Sequence, residues 1–171
     1  MIDRAPSSWL LDNADLIVHG ATALDVACGT GRHALFLAST GCRVRAIDHD
    51  ARKLDELRAT AAGLGLDLST AVVDLEAADV ELGAAAFELI VVVHYLHRPL
   101  FPALIRALAP GGVMLYETFT VHQAARGKPT NPDFLLEPGE LRTLVAPLRI
   151  VREREGDFEN RMVSSIVAKR T

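Results

Sequence analysis

The spacing of hydrophobic positions changes along the chain, and each change marks an element. "SSWLLDNADLIVH" (7–19) puts Trp9, Leu10, Leu16 and Ile17 near one helical face, with Ser7 or Ser8 in place to cap it, and predicts a first helix. "ATALDVA" (21–27) is a short apolar strand, and "GRHALFLAST" (31–40) is a helix that stops at Gly41. "CRVRAID" (42–48) alternates and contains β-branched residues, which predicts a second strand. In "DARKLDELRATAAGLG" (50–65), Leu54, Leu57, Ala61 and Leu64 form one stripe of an amphipathic helix that Gly63 and Gly65 end. "LSTAVVDL" (68–75) and "FELIVVVHYL" (87–96) are the next strands; "VVV" is too continuously apolar for a surface strand and predicts a central one covered on both faces. "PLFPALIRAL" (99–108) is a helix stopped by "APGG", and "VMLYETF" (113–119) is a fifth strand. After a polar stretch, "GELRTLVAPL" (139–148) predicts a short helix, and "RIVREREGDFENRMVSSIVAK" (149–169) two strands around a turn.

Strand and helix alternate, so the chain reads as α/β: a doubly wound parallel sheet with helices on both faces, ending in an antiparallel hairpin. The segment 120–138 is rich in Pro, Gly and polar residues, and is long for a loop inside one compact domain; such loops are often functional lids. The length of 171 residues suits a single domain, 1–171, with a sizeable core. A net charge of −4 shows none of the basic excess of a nucleic-acid binder. Cys28 and Cys42 supply neither a disulfide framework nor zinc spacing, so a reduced, cytoplasmic setting and no metal are expected. The first residues, with Asp3 and Asp12, lack the apolar core of a signal peptide, and no apolar run approaches the roughly 20 residues of a membrane span.

The chemistry concentrates at "DVACGTGRHA" (25–34), between the first strand and the helix after it. Gly29-Thr30-Gly31-Arg32-His33-Ala34 fits G-x-G-x-x-G/A, and Asp48 closes the second strand 17 positions after Gly31. This pattern predicts a nucleoside-bearing ligand across the strand ends, its ribose hydroxyls donating to the Asp48 carboxylate. Two cofactors use such a loop. Asp25, just before it, would repel the pyrophosphate of NAD but suit the positively charged ammonium and sulfonium of S-adenosylmethionine (SAM). Asp74 ends the third strand, within reach of an adenine amino group. The final hairpin is not how a second mononucleotide-binding half would continue.

"ALDVACGTGRHALFLASTGCRVRAIDHD" resembles the first cofactor-binding region of the class I SAM-dependent methyltransferases, and "ALAPGGVMLYETF" is similar to the entry to their fifth strand. Within that superfamily the "GRHA" helix start and the small size look most like the tellurite-resistance-type methyltransferases. The resemblance implies a seven-stranded sheet, SAM as methyl donor and S-adenosylhomocysteine as product. It maps Asp25, Ala27, Gly29 and Gly31 to the loop against the methionine part of SAM, Asp48 to the ribose, and His49, Asp74 and Leu75 to the surroundings of the adenine. His94 would lie beneath the sulfonium. Cys28 is read as packing.

Methyl transfer from a sulfonium needs chiefly alignment of the acceptor, so the acceptor site belongs to the loops after the fourth and fifth strands and to the segment 120–138. His94, Tyr95, His97, Arg98, His122, Arg126 and Lys128 collect there. They suggest a site for an anionic or soft acceptor: His94, Tyr95 and His97 on the catalytic side, with Arg98, Glu117, Arg126 and Lys128 as substrate contacts. No "NPPY"-like tetrapeptide follows the fourth strand; in the family the chain resembles, that sequence marks many enzymes that methylate amino groups of nucleic acids and proteins, so the resemblance implies a small molecule instead. The expected function is therefore SAM-dependent methylation of a small molecule by a monomer or homodimer, away from membranes. The alternatives are an NAD-dependent oxidoreductase, a SAM-binding non-catalytic partner protein and an RNA methyltransferase.

Overall fold

The computed structural model describes residues 5–171, so Asp3 lies outside the described residues. Seven strands form one sheet: β1 Thr22–Val26, β2 Arg43–Asp48, β3 Leu68–Val72, β4 Phe87–Val93, β5 Leu108–Phe119, β6 Arg149–Phe158 and β7 Arg161–Lys169. Their order across the sheet is β3-β2-β1-β4-β5-β7-β6. The first five strands are parallel, and β7 runs antiparallel between β5 and β6. Glu159 and Asn160 turn the closing hairpin with φ of 54° and 60°, the backbone that a two-residue connection between right-twisted strands requires.

Five helices cover the sheet: α1 Ser8–Asp12, α2 Arg32–Ser39, α3 Ala51–Gly63, α4 Phe101–Ala107 and α5 Glu140–Leu144. Two hydrophobic layers lie on its opposite faces. Val91 and Val93 of β4 join α1, α2 and α3 through Leu10, Leu37 and Leu57, while Ile90 and Val92 join α4 and α5 through Leu104 and Leu141. The continuous apolar run of β4 thus reflects a strand buried on both sides. The crossover from β3 to β4 (73–86) contains turns but no helix.

Several boundaries differ from the sequence expectation. The helix expected over 7–19 stops at Asp12 because the Asn13 side chain donates to the Trp9 carbonyl, 2.7 Å away; only a 3₁₀ turn, Ala14–Leu16, follows. The fourth strand ends at Val93, since His94 takes a φ of 58°. The fifth strand begins at Leu108 rather than 113, passing through the Pro-Gly-Gly segment with a register shift against β4. The segment 120–138 is ordered by two 3₁₀ turns, Val121–Ala125 and Pro132–Phe134, and by buried Gln123, Leu135 and Leu136.

Candidate active site

The C-terminal ends of β1, β2, β3 and β4 surround a cleft of about 630 Å³, a size ordinary for a small-molecule site. It lies where the strand order reverses between β1 and β4, the place such sheets bind ligands. Ala27 and Gly29 line it from the first loop, Asp48 and His49 from the second strand end, Asp74 and Leu75 from the third, and His94 and Tyr95 from the fourth. Ala27 has a φ of 53° and His94 one of 58°, so two non-glycine residues on the cleft wall sit in the left-handed region. Strain of that kind is held in place by its surroundings and concentrates at functional sites. Here His94 is held by its N–H, which donates to the Glu117 carbonyl at 2.8 Å, and by its ring, stacked on Phe119 with centroids 4.5 Å apart.

Asp48 organises the donor end. One carboxylate oxygen accepts the Gly29 N–H at 2.8 Å and the other the Asp50 N–H at 2.9 Å. The glycine loop is thereby tied to the end of β2; His49 Nδ1 lies 3.2 Å from the oxygen that accepts from Asp50, and the oxygen that accepts from Gly29 keeps a lone pair for a further donor. A Cβ built on Gly29 would meet nothing within 4 Å, so the backbone is bare on that side. Gly31 serves packing instead: at its φ of +83° an added Cβ would overlap the Leu57 side chain, and it does not border the cleft. Asp25 also departs from expectation. It is buried, outside the cleft lining, and its carboxylate accepts the Ala34 N–H at 2.9 Å within the first turn of α2. Burial pushes its carboxyl up to about 7, the Ala34 hydrogen bond opposing. Burial, then the Asp25 and Asp48 charges, push the Cys28 thiol up, as suits a packing cysteine.

These positions decide between the two cofactors. Asp25 occupies the helix N-terminus that would otherwise receive a phosphate, and Asp48, Asp74 and Glu76 present carboxylates to the cleft. Such a donor set suits ribose hydroxyls and a cationic ligand, and opposes a pyrophosphate. The Tyr95 hydroxyl is buried with no hydrogen-bond partner among the described residues. Burial, then the charges of Glu76, Asp74 and Asp48, push it up to about 12, so it is a proton donor rather than a base at neutral pH.

The model of the family described as "Methyltransferase domain" matches residues 23–112, more than half of the chain. The chain belongs to this methyltransferase family. Every residue that lines the cleft lies in the matched stretch. A probable S-adenosyl-L-methionine-dependent methyltransferase, TehB of Haemophilus influenzae, is 31% identical over 94 residues, which are 55% of this chain and 33% of that protein. The match therefore spans about a third of the curated relative. The crystal structure of TehB from the same organism superposes with a TM-score of 0.80 at 22% identity, over 97% of this chain and 63% of that one. A SAM-dependent methyltransferase from Mesorhizobium loti superposes at 0.77 with 18% identity, over 96% and 98% of the two chains. These superpositions establish the class I methyltransferase fold.

A second cavity of the methyltransferase domain, about 260 Å³, shares Glu76, His94 and Tyr95 with the cleft. Its other walls are Leu96, Thr118 and Phe119 from the ends of β4 and β5, with Pro129 and Phe134 from the segment 120–138. Most of the charged residues expected here are engaged elsewhere. Arg98 forms a two-pronged ion pair with Glu140 (2.6 and 3.0 Å) and donates to the carbonyls of Asp133 and Leu135, clamping the segment to α5. Arg126 pairs with Asp157 at 2.5 Å, and Lys128 is exposed. Glu117 is buried, accepting from Ser165 Oγ at 2.5 Å and Arg154 at 3.1 Å. His97 borders a different cavity, between 75–81 and 97–106, and His122 is exposed. A charged residue has several possible partners in a fold, and position along the chain does not choose among them. Lys53 and Glu76 line the cleft without having been expected; Glu76 follows Asp74 by two positions, and Lys53 sits in the first turn of α3.

Among the described residues no group of three or more His, Cys, Asp or Glu is placed to hold a metal ion, and no helix is long and apolar enough to cross a membrane.

Proposed function

We propose that this domain transfers a methyl group from SAM to a small-molecule acceptor. The observation that carries the reading is the common wall: a carboxylate-lined cleft and a small pocket share Glu76, His94 and Tyr95, so that a donor and an acceptor meet across one strand end. When bound, SAM supplies an activated methyl group on a sulfonium. The protein's part is to position. Asp48 holds the glycine loop and faces the ribose; Asp74 and Leu75 border the adenine; His94, on its constrained backbone, sets the floor between the two chambers. Holding two reactants in line is worth on the order of 7 kcal/mol or more, which suffices without a dedicated nucleophile. The segment 120–138 contributes Pro129 and Phe134 to the acceptor side and acts as its cover.

The test is a calorimetric titration with SAM, S-adenosylhomocysteine and NADH, followed by transfer of labelled methyl to a small-molecule panel and to total RNA. The reading expects binding of the first two ligands and label in the small-molecule fraction. Binding of NADH alone, or label confined to RNA, overturns it.

A further inference from the structure

The acceptor pocket's charge is at odds with an anionic substrate. The side chains of a site reveal what they recognise by what they can neutralise, and among the described residues no Lys or Arg borders this pocket. Its formal charge comes from Glu76, a carboxylate, which also faces the donor cleft. The guanidinium groups nearest in sequence are committed, Arg98 to Glu140 and Arg126 to Asp157. Besides Glu76, His94, Tyr95 and Thr118, the wall is Leu96, Phe119, Pro129 and Phe134, and the exposed lining is mostly apolar with aromatic faces.

We propose that the acceptor is a compact, uncharged, apolar thiol and not an oxyanion. The inference rests on the methyl-transfer reading above and narrows it. A volume of about 260 Å³ admits a molecule of roughly one ring with a short arm. An oxyanion placed there would lose its hydration, find no cation among the pocket's side chains and face Glu76. A thiol meets the opposite requirement: it enters uncharged, so it loses no ionic hydration beside Glu76, and sulfur is intrinsically very nucleophilic. The Tyr95 hydroxyl, whose proton is retained well above neutral pH, lies in the wall as a donor and not as a base. In the transfer the thiol releases its proton to water. The sulfur lone pair forms the new carbon–sulfur bond as the methyl–sulfonium bond breaks, and that bond's electron pair stays on the donor sulfur. The products are a neutral methyl thioether, neutral S-adenosylhomocysteine and one proton.

The experiment titrates the protein, saturated with S-adenosylhomocysteine, with benzyl mercaptan, with 4-(mercaptomethyl)benzoate, and with selenite and tellurite. The same four are then offered with SAM. Benzyl mercaptan is expected to bind at least tenfold more tightly than its carboxylated twin and to be methylated, while the oxyanions neither bind nor turn over. Phe134 is 47% exposed, so Phe134→Arg leaves the fold intact and puts a cation at the pocket mouth. In that variant the gap between the two thiols closes. Equal or tighter binding of the carboxylated thiol or an oxyanion, an unchanged gap in Phe134→Arg, or no binding of benzyl mercaptan overturns the inference while methyl transfer stands. Failure to bind S-adenosylhomocysteine overturns the methyl-transfer reading, and the acceptor inference with it.

Discussion

The donor cleft and the acceptor pocket meet at His94 and Tyr95 yet are built on opposite physical terms. The cleft is ringed by charge: Asp48, Asp74 and Glu76 line it, and its loop is held by hydrogen bonds from backbone to carboxylate. The pocket is mostly apolar, and Arg98 and Glu117 beside it are taken up in ion pairs that fix the scaffold. On the proposed reading, the ligand used for every turnover is gripped through directional contacts, and the variable one is sorted by shape and by the absence of a side-chain cation. The same chemistry, a carboxylate with N–H donors, is buried away from the cleft at Asp25 and borders it at Asp48.

Substitutions can separate the two regions. The largest effect is expected from Arg154→Ala. Arg154 lies over Trp9 and Phe158 and pairs with the buried Glu117. Its loss strands a buried carboxylate at a cost of about 3–5 kcal/mol, measurable by denaturant unfolding. Because Glu117 also holds His94, both regions should weaken together, and a change confined to one of them would break the comparison. Asp48→Ala comes next. It removes two backbone hydrogen bonds to a charged group, each worth roughly 1.5–3 kcal/mol. Calorimetry should show SAM affinity falling by about a hundredfold or more, with little change in acceptor affinity on whatever complex still forms. Arg98→Ala should do the reverse. Freed from Glu140 and the two carbonyls, the segment 120–138 loosens, the acceptor KM rises several-fold, and the SAM dissociation constant stays put.

A subtler contrast lies beneath the cleft. Asp25 sits at about 7, above the ordinary 3.8, so the folded state holds its proton more tightly and its contribution to stability falls as pH rises from about 4 to 7. His33 accepts the Ser7 N–H at 3.2 Å, and burial lowers it to about 3 from 6.5. There the unfolded state binds the proton, so its contribution rises with pH from about 3 to 6.5. The two slopes oppose each other in the native chain. Asp25→Asn should expose the rise and His33→Gln the fall, read as unfolding free energy between pH 4 and 7. The smallest effect is expected from Tyr95→Phe, which removes an unpartnered buried hydroxyl. Thermal stability should hold or increase slightly, while kcat/KM drops several-fold if the hydroxyl serves a ligand.

The parallel sheet, its closing hairpin and the loop around Gly29 were legible because each rests on local rules: period, turn residues and an acid at a strand end. Ala27, Gly29, Asp48, His49, Asp74, Leu75, His94 and Tyr95 all reach the cleft. Asp25 and Gly31 belong to the same motif but answer to tertiary neighbours, the N-terminus of α2 and Leu57, which no spacing discloses. Arg98, Glu117 and Arg126, expected as substrate contacts, lie outside the pocket lining for a related reason. Their partners, Glu140, Arg154 and Asp157, lie 42, 37 and 31 positions away and are brought close only by the β5–β7–β6 ladder and by α5. The pocket itself is made by residues such as Leu96 and Phe134, which read as ordinary apolar positions until the chain is folded.

The Arg98 clasp has a consequence for how such a domain changes its task. Arg98 fastens the Phe134 end of the segment that supplies Pro129 and Phe134, and that segment lends no residue to the lining of the cleft that holds Asp48 and Gly29. Insertions, deletions and wholesale replacement can accumulate between the clasp and the strand end while the donor apparatus is inherited unchanged. The molecule is divided along the lines on which it can be retargeted, with Arg98 as the seam.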